Sequence, residues 1–324
     1  MSVITPTATT EALREYIDKY SNWGRWGEAD ELGAVNLITP AIVREASRGV
    51  SLGRVIGLGL PFDQNGPQTG VLGRYNCLRY STATGTDHAY GLQQLNGAEP
   101  PHGFGYADDV IAMPLQSATH WDVLSHIFHE GRMYNGRPAS SVTATGAQFS
   151  GAEKWRDRLV GRGVLLDLPA TLGVDWLEDG HAIDADQLEA AAEFGKVEIR
   201  EGDILLLRTG RLKRARAEGW GDYAGGDAPG LSYYTIPWLA TRGIAAVASD
   251  TWGVEVRPNE LPGSFQPFHI PALVYMGLAL GEMFDFDGLS QACAEAGKYQ
   301  VLFSGPPLAF TGSAGGPPGP VAII

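Results

Sequence analysis

Short apolar runs bounded by turn residues alternate along the chain with segments of helical pattern, and these runs predict the strands of a sheet. Several runs are apolar at consecutive positions, which is typical of strands covered on both faces. Because no internal repeat and no polar linker interrupts this order, we predict one domain over residues 1–324, with residues 1–50 as a helical extension packed on it. The predicted strands are 54–60, 110–114, 164–168, 203–208, 244–248 and 299–303.

The predicted fold class is α/β (mixed α+β), a mixed sheet covered by helices whose glycine-rich bends leave room for a partly barrel-like closure. Capping residues mark two of the helices. Thr39 and Pro40 begin a short helix that ends at Gly49, and Asp184 with Gln187 three residues later has the capping-box arrangement. The Gly/Pro-rich stretch 312–320 predicts a loose segment, and the apolar residues after it predict a final docked strand.

Composition and charge exclude several classes of partner. The 24 Lys and Arg residues against 37 Asp and Glu residues give a net charge of −13, which is the wrong sign for a protein that neutralises phosphates, so we expect no nucleic-acid partner. The first 16 residues lack the pattern of a secretory signal, and the most apolar stretch, 270–281, is shorter than the roughly 20 residues of a membrane span. Cys77 and Cys293 do not make a disulfide framework. These features favour a cytoplasmic protein without a membrane partner.

The densest chemistry lies between residues 116 and 129. Gln116, His120, Asp122 and His126 all occupy even positions, so an extended segment would project their side chains from one face, whereas a helix would separate them. An imidazole and a carboxylate on one face suit Zn²⁺ or Mn²⁺. The solvated face of an edge strand would show the same spacing without a metal. His129 is out of phase and is expected at the surface or behind the site.

This segment carries a resemblance to a known family. Its HWDxxxH motif, with the preceding Gln-x-x-Thr, resembles the signature H-x-G-T-H-x-D-x-P-x-H of the metal-dependent cyclase/kynurenine formamidase-like hydrolase family. Three positions depart from the signature: Gln116 stands where the family has its first histidine, Ala118 replaces glycine and Leu124 replaces proline. An amide oxygen is a weaker ligand than imidazole, so the Gln116 departure bears on metal number and affinity. The match falls on Thr119, His120, Asp122 and His126.

Two further segments support the resemblance. Residues 269–289 resemble the distal segment in which a histidine and a glutamate complete the metal site, here His269 and Glu282; as alternatives, these are a core histidine and an exposed carboxylate. Residues 243–255 are similar to the strand and loop that line the family's pocket, and residues 23–40 resemble its longer branch, which includes trans-dienelactone hydrolase. The resemblance implies one or two Zn or Mn ions. The implied metal ligands are Gln116, His120, Asp122, His269 and Glu282.

The resemblance implies a hydrolase that uses a metal-activated water. Its implied catalytic residues are His126, as general base and acid, and Glu282, although His126 could instead be a ligand. The chain contains no G-x-S-x-G, H-E-x-x-H, Walker or G-x-G-x-x-G motif, so serine nucleophiles, nucleotide phosphates and dinucleotides lose support.

The expected substrate is a small, ring-containing lactone or related cyclic ester. Trp23, Trp26, Trp121 and Tyr134 would line an aromatic mouth for it, unless these side chains simply fill the core. Three alternatives stay open: hydrolysis of a cyclic amide or N-formyl amide, a metal-dependent cyclase or lyase reaction, and metal binding without catalysis. A homo-oligomer, dimer or tetramer, is expected from the family, with a small molecule as the other partner.

Overall fold

The computed structural model describes residues 6–324. Its α-helices are α1 Pro6–Tyr20, α2 Pro40–Arg48, α3 Gly85–Ala89, α4 Leu168–Leu172, α5 Ala185–Phe194, α6 Arg211–Glu218, α7 Ile236–Arg242 and α8 Asp287–Ala296, and a π-helix spans Ile270–Met276. The 3₁₀ turns are Gly33–Leu37, Val71–Gly73, Pro101–Gly103, Tyr134–Gly136, Ala139–Ser141, Ala152–Trp155 and Tyr233–Thr235. The strands are β1 Val55–Gly57, β2 Leu78–Ala83, β3 Asp108–Ala112, β4 His120–Asp122, β5 Val142–Thr143, β6 Gly146–Ala147, β7 Val160–Asp167, β8 Ala182–Ile183, β9 Ile204–Arg208, β10 Gly230–Leu231, β11 Ala246–Ser249, β12 Ala279–Glu282, β13 Gln300–Ser304, β14 Gly315–Gly316 and β15 Val321–Ile323.

Nine of the strands described form one curled, half-barrel sheet in the order β1-β15-β13-β7-β9-β11-β12-β4-β14. The four strands β7, β9, β11 and β12 run parallel, and antiparallel strands continue the sheet on both sides of them. The pairs β2·β3, β5·β6 and β8·β10 lie outside this sheet. The sheet is mixed and the helices pack on it, which confirms the predicted fold class.

The four parallel strands form the centre of the core. Every residue of β9, β11 and β12 is buried, and β7 is buried from its second residue onward. Their consecutive apolar residues pack on both faces of the sheet, as the sequence predicted. On one side α2 packs against β7 and β13, while α1 packs against the π-helix.

The capping residues act as predicted. The Thr39 side chain accepts a hydrogen bond from the amide of Ile42, and α2 begins at Pro40. Asp184 and Gln187 form both hydrogen bonds of a capping box at α5. These bonds satisfy amides that the first turn of a helix leaves unpaired.

Two boundary predictions need correction. Of the predicted strand 54–60, Val55–Gly57 forms strand β1, and Gly59 makes an isolated bridge to Phe284. The Gly/Pro-rich stretch is not loose, because Gly315 and Gly316 within it pair with β4 as strand β14. The absence of side chains allows these two glycines to lie close to their neighbours, since a Cβ on Gly315 would lie 2.3 Å from the Gln116 amide nitrogen. The apolar residues that follow form the final strand β15, as expected. None of the helices described combines the length and the hydropathy that a membrane span requires.

Candidate metal centre and its cavity

The candidate centre is formed where β4 pairs with β12. The antiparallel register places His120 opposite Glu282 and Asp122 opposite Leu280, and β14 closes the other edge of β4. Because side chains alternate along a strand, His120 and Asp122 share one face of β4 and Trp121 lies on the other. Two short strands thus bring an imidazole and two carboxylates together.

The side chains of the centre lie within contact distance of one another. His120 Nε2 lies 3.2 Å from Asp122 Oδ1 and 3.3 Å from Glu282 Oε2. His269, at the start of the π-helix, places its Nε2 3.3 Å from Glu282 Oε1 and 3.9 Å from Asp122 Oδ2. All four side chains are at most 2% exposed. One ligand atom from each of His120, Asp122 and Glu282 lies within 4.8 Å of the others.

This group has the properties of a divalent-cation site. His120 Nε2 and Asp122 Oδ1 are buried and have no hydrogen-bond partner among the residues described, although buried polar atoms are normally paired. The other ring nitrogen of His120 lies 2.9 Å from the carbonyl of Ala118, which fixes the ring with Nε2 toward the carboxylates. A second group that holds the distal nitrogen of the imidazole is typical of metal-binding histidines. The donor set therefore fits a cation such as Zn²⁺ or Mn²⁺.

The carboxylates control the protonation of the centre. Burial by itself would lower the pKa of His120, but Asp122 and Glu282 outweigh it and raise the pKa to about 9. Burial also opposes the charged form of His269, but Glu255 and Glu282 outweigh it and raise the pKa of His269 to about 10. Burial opposes the ionised form of Asp122 too, but the neighbouring histidines hold the pKa of its carboxyl below its usual range. Without a metal, these shifts favour the protonated imidazoles, whose charges offset part of the charge of the buried carboxylates.

These shifts predict how pH acts on the metal-free and metal-loaded protein. The pKa values of His120 and His269 lie above their usual value of 6.5, so their contribution to stability is complete below about pH 6.5 and is lost as pH rises through about 9 and 10. A cation must displace these protons, so its affinity rises over the same range. We expect added Zn²⁺ or Mn²⁺ to raise the melting temperature more at pH 8.5 than at pH 6. An equal or smaller rise at pH 8.5 would contradict this assignment of the protons.

A cavity of about 550 Å³ opens beside the centre, and His126, His269 and Gln116 line it. His126 is 19% exposed, and its Nε2 lies 3.6 Å from Asp122 Oδ1. Burial and the charge of Arg74 lower the pKa of His126, although Asp122 acts in the opposite direction. His126 is thus the neutral imidazole of the site, placed between the centre and the cavity, and it suits a group that accepts and returns a proton.

The segment before β4 is a turn and not an extended chain. Only His120–Asp122 has strand geometry, so the extended geometry that would project all four side chains of 116–126 from one face holds for these three residues alone. Thr119 anchors this turn, because its buried hydroxyl donates to the carbonyl of Met283 at 2.6 Å and accepts from the amide of Leu60 at 2.8 Å. Gln116 nevertheless reaches the cavity wall, but no hydrogen bond joins its side chain to the four residues of the centre among the residues described.

Glu255 is a buried member of the site that sequence reasoning missed. Its carboxylate lies 2.5 Å from His269 Nδ1 and accepts hydrogen bonds from the backbone amides of Phe268 and His269, both at 3.2 Å. The contact to Nδ1 directs Nε2 of His269 toward Glu282. The segment 243–255 had been singled out as pocket-lining, but a single glutamate at its end carries no local pattern that would reveal this contact.

The four aromatic residues proposed for a substrate mouth do not line the cavity. Trp121 is fully buried on the opposite face of β4, where it packs against Phe284. Tyr134 is also fully buried, and its hydroxyl donates to Asp30. Trp23 stacks on the ring of Tyr275, and Trp26 packs against the main core. The core-filling alternative describes these side chains better.

The wall and rim of the cavity are formed by other residues. Phe128 and Phe265 line it and are 43% and 55% exposed. Asp250, in the segment 243–255, is buried and accepts hydrogen bonds from the amides of Thr209 and Gly210, so it holds a turn in place. His129 is half-buried, with its Nδ1 2.9 Å from the hydroxyl of Tyr275.

Comparison with known proteins identifies a family and several solved structures that share this fold. The Cyclase family model matches residues 56–256. A crystal structure described as a novel cyclase is 32% identical with a TM-score of 0.85, over 95% of this chain and 99% of that chain. An isatin hydrolase bound to the product analogue thioisatinate is 17% identical with a TM-score of 0.56, over 84% of this chain and 92% of that one. Isatin hydrolase A from Labrenzia aggregata, bound to benzyl benzoate, is 18% identical with a TM-score of 0.60, over 87% and 98%. No curated protein matches the chain. The match over most of both chains at 32% identity, together with the family model, shows that this chain belongs to the Cyclase family.

Proposed function

We propose that the protein is a metal-dependent hydrolase that opens a lactone or related cyclic ester. The observation that carries this proposal is the buried group of His120, Asp122 and Glu282, which has unpaired ligand atoms and adjoins a cavity lined by a neutral histidine. Hydrolases that share the fold, the isatin hydrolases, support hydrolysis as the reaction.

In this proposal His120, Asp122 and Glu282 hold the cation, and His269 completes the set. A divalent cation at this position supplies Lewis acidity, which acidifies water and polarises a carbonyl. His126 Nε2 accepts the proton of the attacking water and returns it to the leaving oxygen. Glu255 holds His269 in the orientation that presents Nε2, as shown by the 2.5 Å contact to Nδ1. The buried walls around the centre limit the access of bulk water.

Metal analysis of the gently purified protein, paired with a hydrolysis screen, tests the proposal. We expect about one Zn or Mn per chain, consistent with the single cluster of ligand atoms found among the described residues. We also expect ring opening of small lactones that stops on chelation and returns on addition of the metal. Protein without a transition metal, or metal-loaded protein that opens no lactone, would overturn it.

Hydrolysis of a cyclic amide is the second candidate, because the isatin hydrolases share the fold. Cyclic amides and N-formyl amides in the same screen decide between C–O and C–N cleavage. A cyclase or lyase reaction is separated from hydrolysis by the incorporation of ¹⁸O from labelled water into the product. A dimeric or tetrameric state stays a prediction.

Gln116 offers a test of metal number. We expect Gln116→His to raise the affinity for Zn²⁺ about ten-fold or to bring the metal content toward two ions per chain, because imidazole is a stronger ligand than an amide oxygen. Equilibrium dialysis measures both quantities. Gln94 is exposed, so the Gln94→His variant controls for unspecific metal binding by an added histidine. Unchanged affinity and stoichiometry in Gln116→His would show that position 116 does not face the ion.

A further inference from the structure

The cavity is lined by a guanidinium group that has no polar partner in the described part of the chain. Arg74 lines the cavity together with His126 and His269, and among residues 6–324 its guanidinium has neither a hydrogen bond nor an ion pair. The buried arginines Arg162, Arg208 and Arg211 are each paired with an aspartate. In a chain with 37 acidic residues against 24 basic ones, an arginine that no carboxylate pairs with, at the wall of the candidate site, is available to a bound anion.

Arg74 is linked to the chain before the metal centre through contacts of Trp252 and Gln68. Its guanidinium lies 5.0 Å from the centre of the Trp252 ring, a distance at which a cation and an aromatic face attract each other. Trp252 is buried, and its indole nitrogen donates to the side chain of Gln68, which in turn donates to the carbonyl of Ser117 at 2.9 Å. The ring under Arg74 is therefore connected to the backbone that leads into His120.

A second guanidinium strengthens the positive charge. Arg257 lies 5.8 Å from the Trp252 ring and 5.4 Å from the ring of Phe265, which lines the cavity. Its Nη1 is buried and has no hydrogen-bond partner in the described part of the chain. Two guanidinium groups thus flank one tryptophan, and no carboxylate of the described residues forms an ion pair with either of them.

We propose that Arg74 binds a carboxylate that the substrate carries apart from its scissile bond, so that the enzyme acts on small anionic ring compounds. This inference rests on the proposed hydrolase function. The planar guanidinium presents parallel N–H donors that match a carboxylate in a two-point hydrogen bond, and contact with an aromatic ring leaves those donors free. Arg257 adds to the positive potential, which favours anions over their neutral esters.

A binding experiment tests this without turnover. Zn-loaded wild-type protein, Arg74→Met, Arg74→Lys and Arg48→Met are titrated calorimetrically with glutarate and with its monomethyl ester. Glutarate offers one carboxylate to the metal and a second to Arg74. We expect wild type to bind glutarate about ten-fold more tightly than the monoester, which corresponds to one charge-assisted contact.

The variants separate the charge of Arg74 from its packing. Methionine keeps the length of the side chain over Trp252, and we expect Arg74→Met to lose the preference for glutarate, while Arg74→Lys keeps part of it. Arg48 is exposed on α2 and makes the same change in net charge, so Arg48→Met should behave as wild type. A preference that persists in Arg74→Met, or that wild type lacks, would overturn the proposal.

An activity measurement separates this inference from the proposed function. For any ring compound that the enzyme opens, we expect Arg74→Met to lower kcat/KM for the carboxylate-bearing form about ten-fold more than for its methyl ester. An equal loss for both forms would show that Arg74 acts on the reacting centre and not on a remote carboxylate. If no compound is opened but Arg74→Met loses the glutarate preference, the hydrolase proposal fails and the anion site stands.

Discussion

Replacing His126 by alanine is expected to abolish turnover while the metal content stays at the wild-type level. His126 is the one imidazole of the described centre whose pKa is lowered, and its 19% exposure places it between the buried carboxylates and the cavity. General acid–base catalysis contributes about 10²–10⁴-fold to a rate, so kcat should fall by roughly that factor. The loss should appear in kcat more than in KM, because His126 acts on the proton and not on substrate binding.

Metal content and kcat measured on the same preparation of His126→Ala check this expectation. His129→Ala is the matched control, since His129 lies three residues away, contacts Tyr275 and belongs to no part of the proposed mechanism. Loss of the metal together with turnover would move His126 into the ligand set. Turnover within about two-fold of wild type would remove it from the mechanism altogether.

Replacing Asp122 by asparagine should eliminate metal binding, and with it turnover. Asp122 lies 3.2 Å from His120 Nε2, 3.6 Å from His126 Nε2 and 3.9 Å from His269 Nε2. Its carboxylate therefore interacts with all three of these imidazoles. Loss of a group that only orients a ligand already costs about 10–100-fold in metal affinity, and loss of a carboxylate ligand should cost on the order of 100-fold or more. Asparagine keeps the shape of the side chain, so β4 should still pair with β12.

Competition with a chelator of known affinity measures the change in Kd, and circular dichroism checks the fold. Asp157→Asn is a suitable control, because Asp157 is 70% exposed and pairs only with its neighbour Arg158 among the residues described. An Asp122→Asn protein that binds the metal as tightly as wild type would remove Asp122 from the ligand set. An Asp122→Asn protein that binds the metal weakly but has the wild-type kcat at saturating metal would show that Asp122 contributes to metal binding and not to the chemical step.

The local part of the site could be predicted because it follows the alternation of a strand. His120 and Asp122 are two residues apart, and their shared face follows from that spacing. The same rule places Trp121 on the opposite face of β4. The alternation therefore argues against a substrate contact by Trp121, although the sequence analysis proposed one. No such alternation applies to Trp23 and Trp26, and only the fold shows that these two side chains are not among those that line the cavity.

The distant part of the site depended on topology. His269 and Glu282 were implied by resemblance alone, because no local pattern says that β12 lies beside β4 in the sheet. Glu255 and Arg74 were missed for the same reason. A lone glutamate or arginine is ordinarily a surface residue, and its role depends on burial and on the partner it has or lacks, which appear only in three dimensions.

The position of β4 between β12 and β14 has a consequence for how the chain folds. β4 is three residues long, and both of its neighbours come from the last fifth of the sequence. During synthesis, His120 and Asp122 emerge long before the strands that hold them, and closing such long loops is slow. The ligand set is therefore completed at the end of folding, and a cation that reaches the chain earlier meets only part of it. We therefore expect metal binding to stabilise the finished fold and not to start its formation.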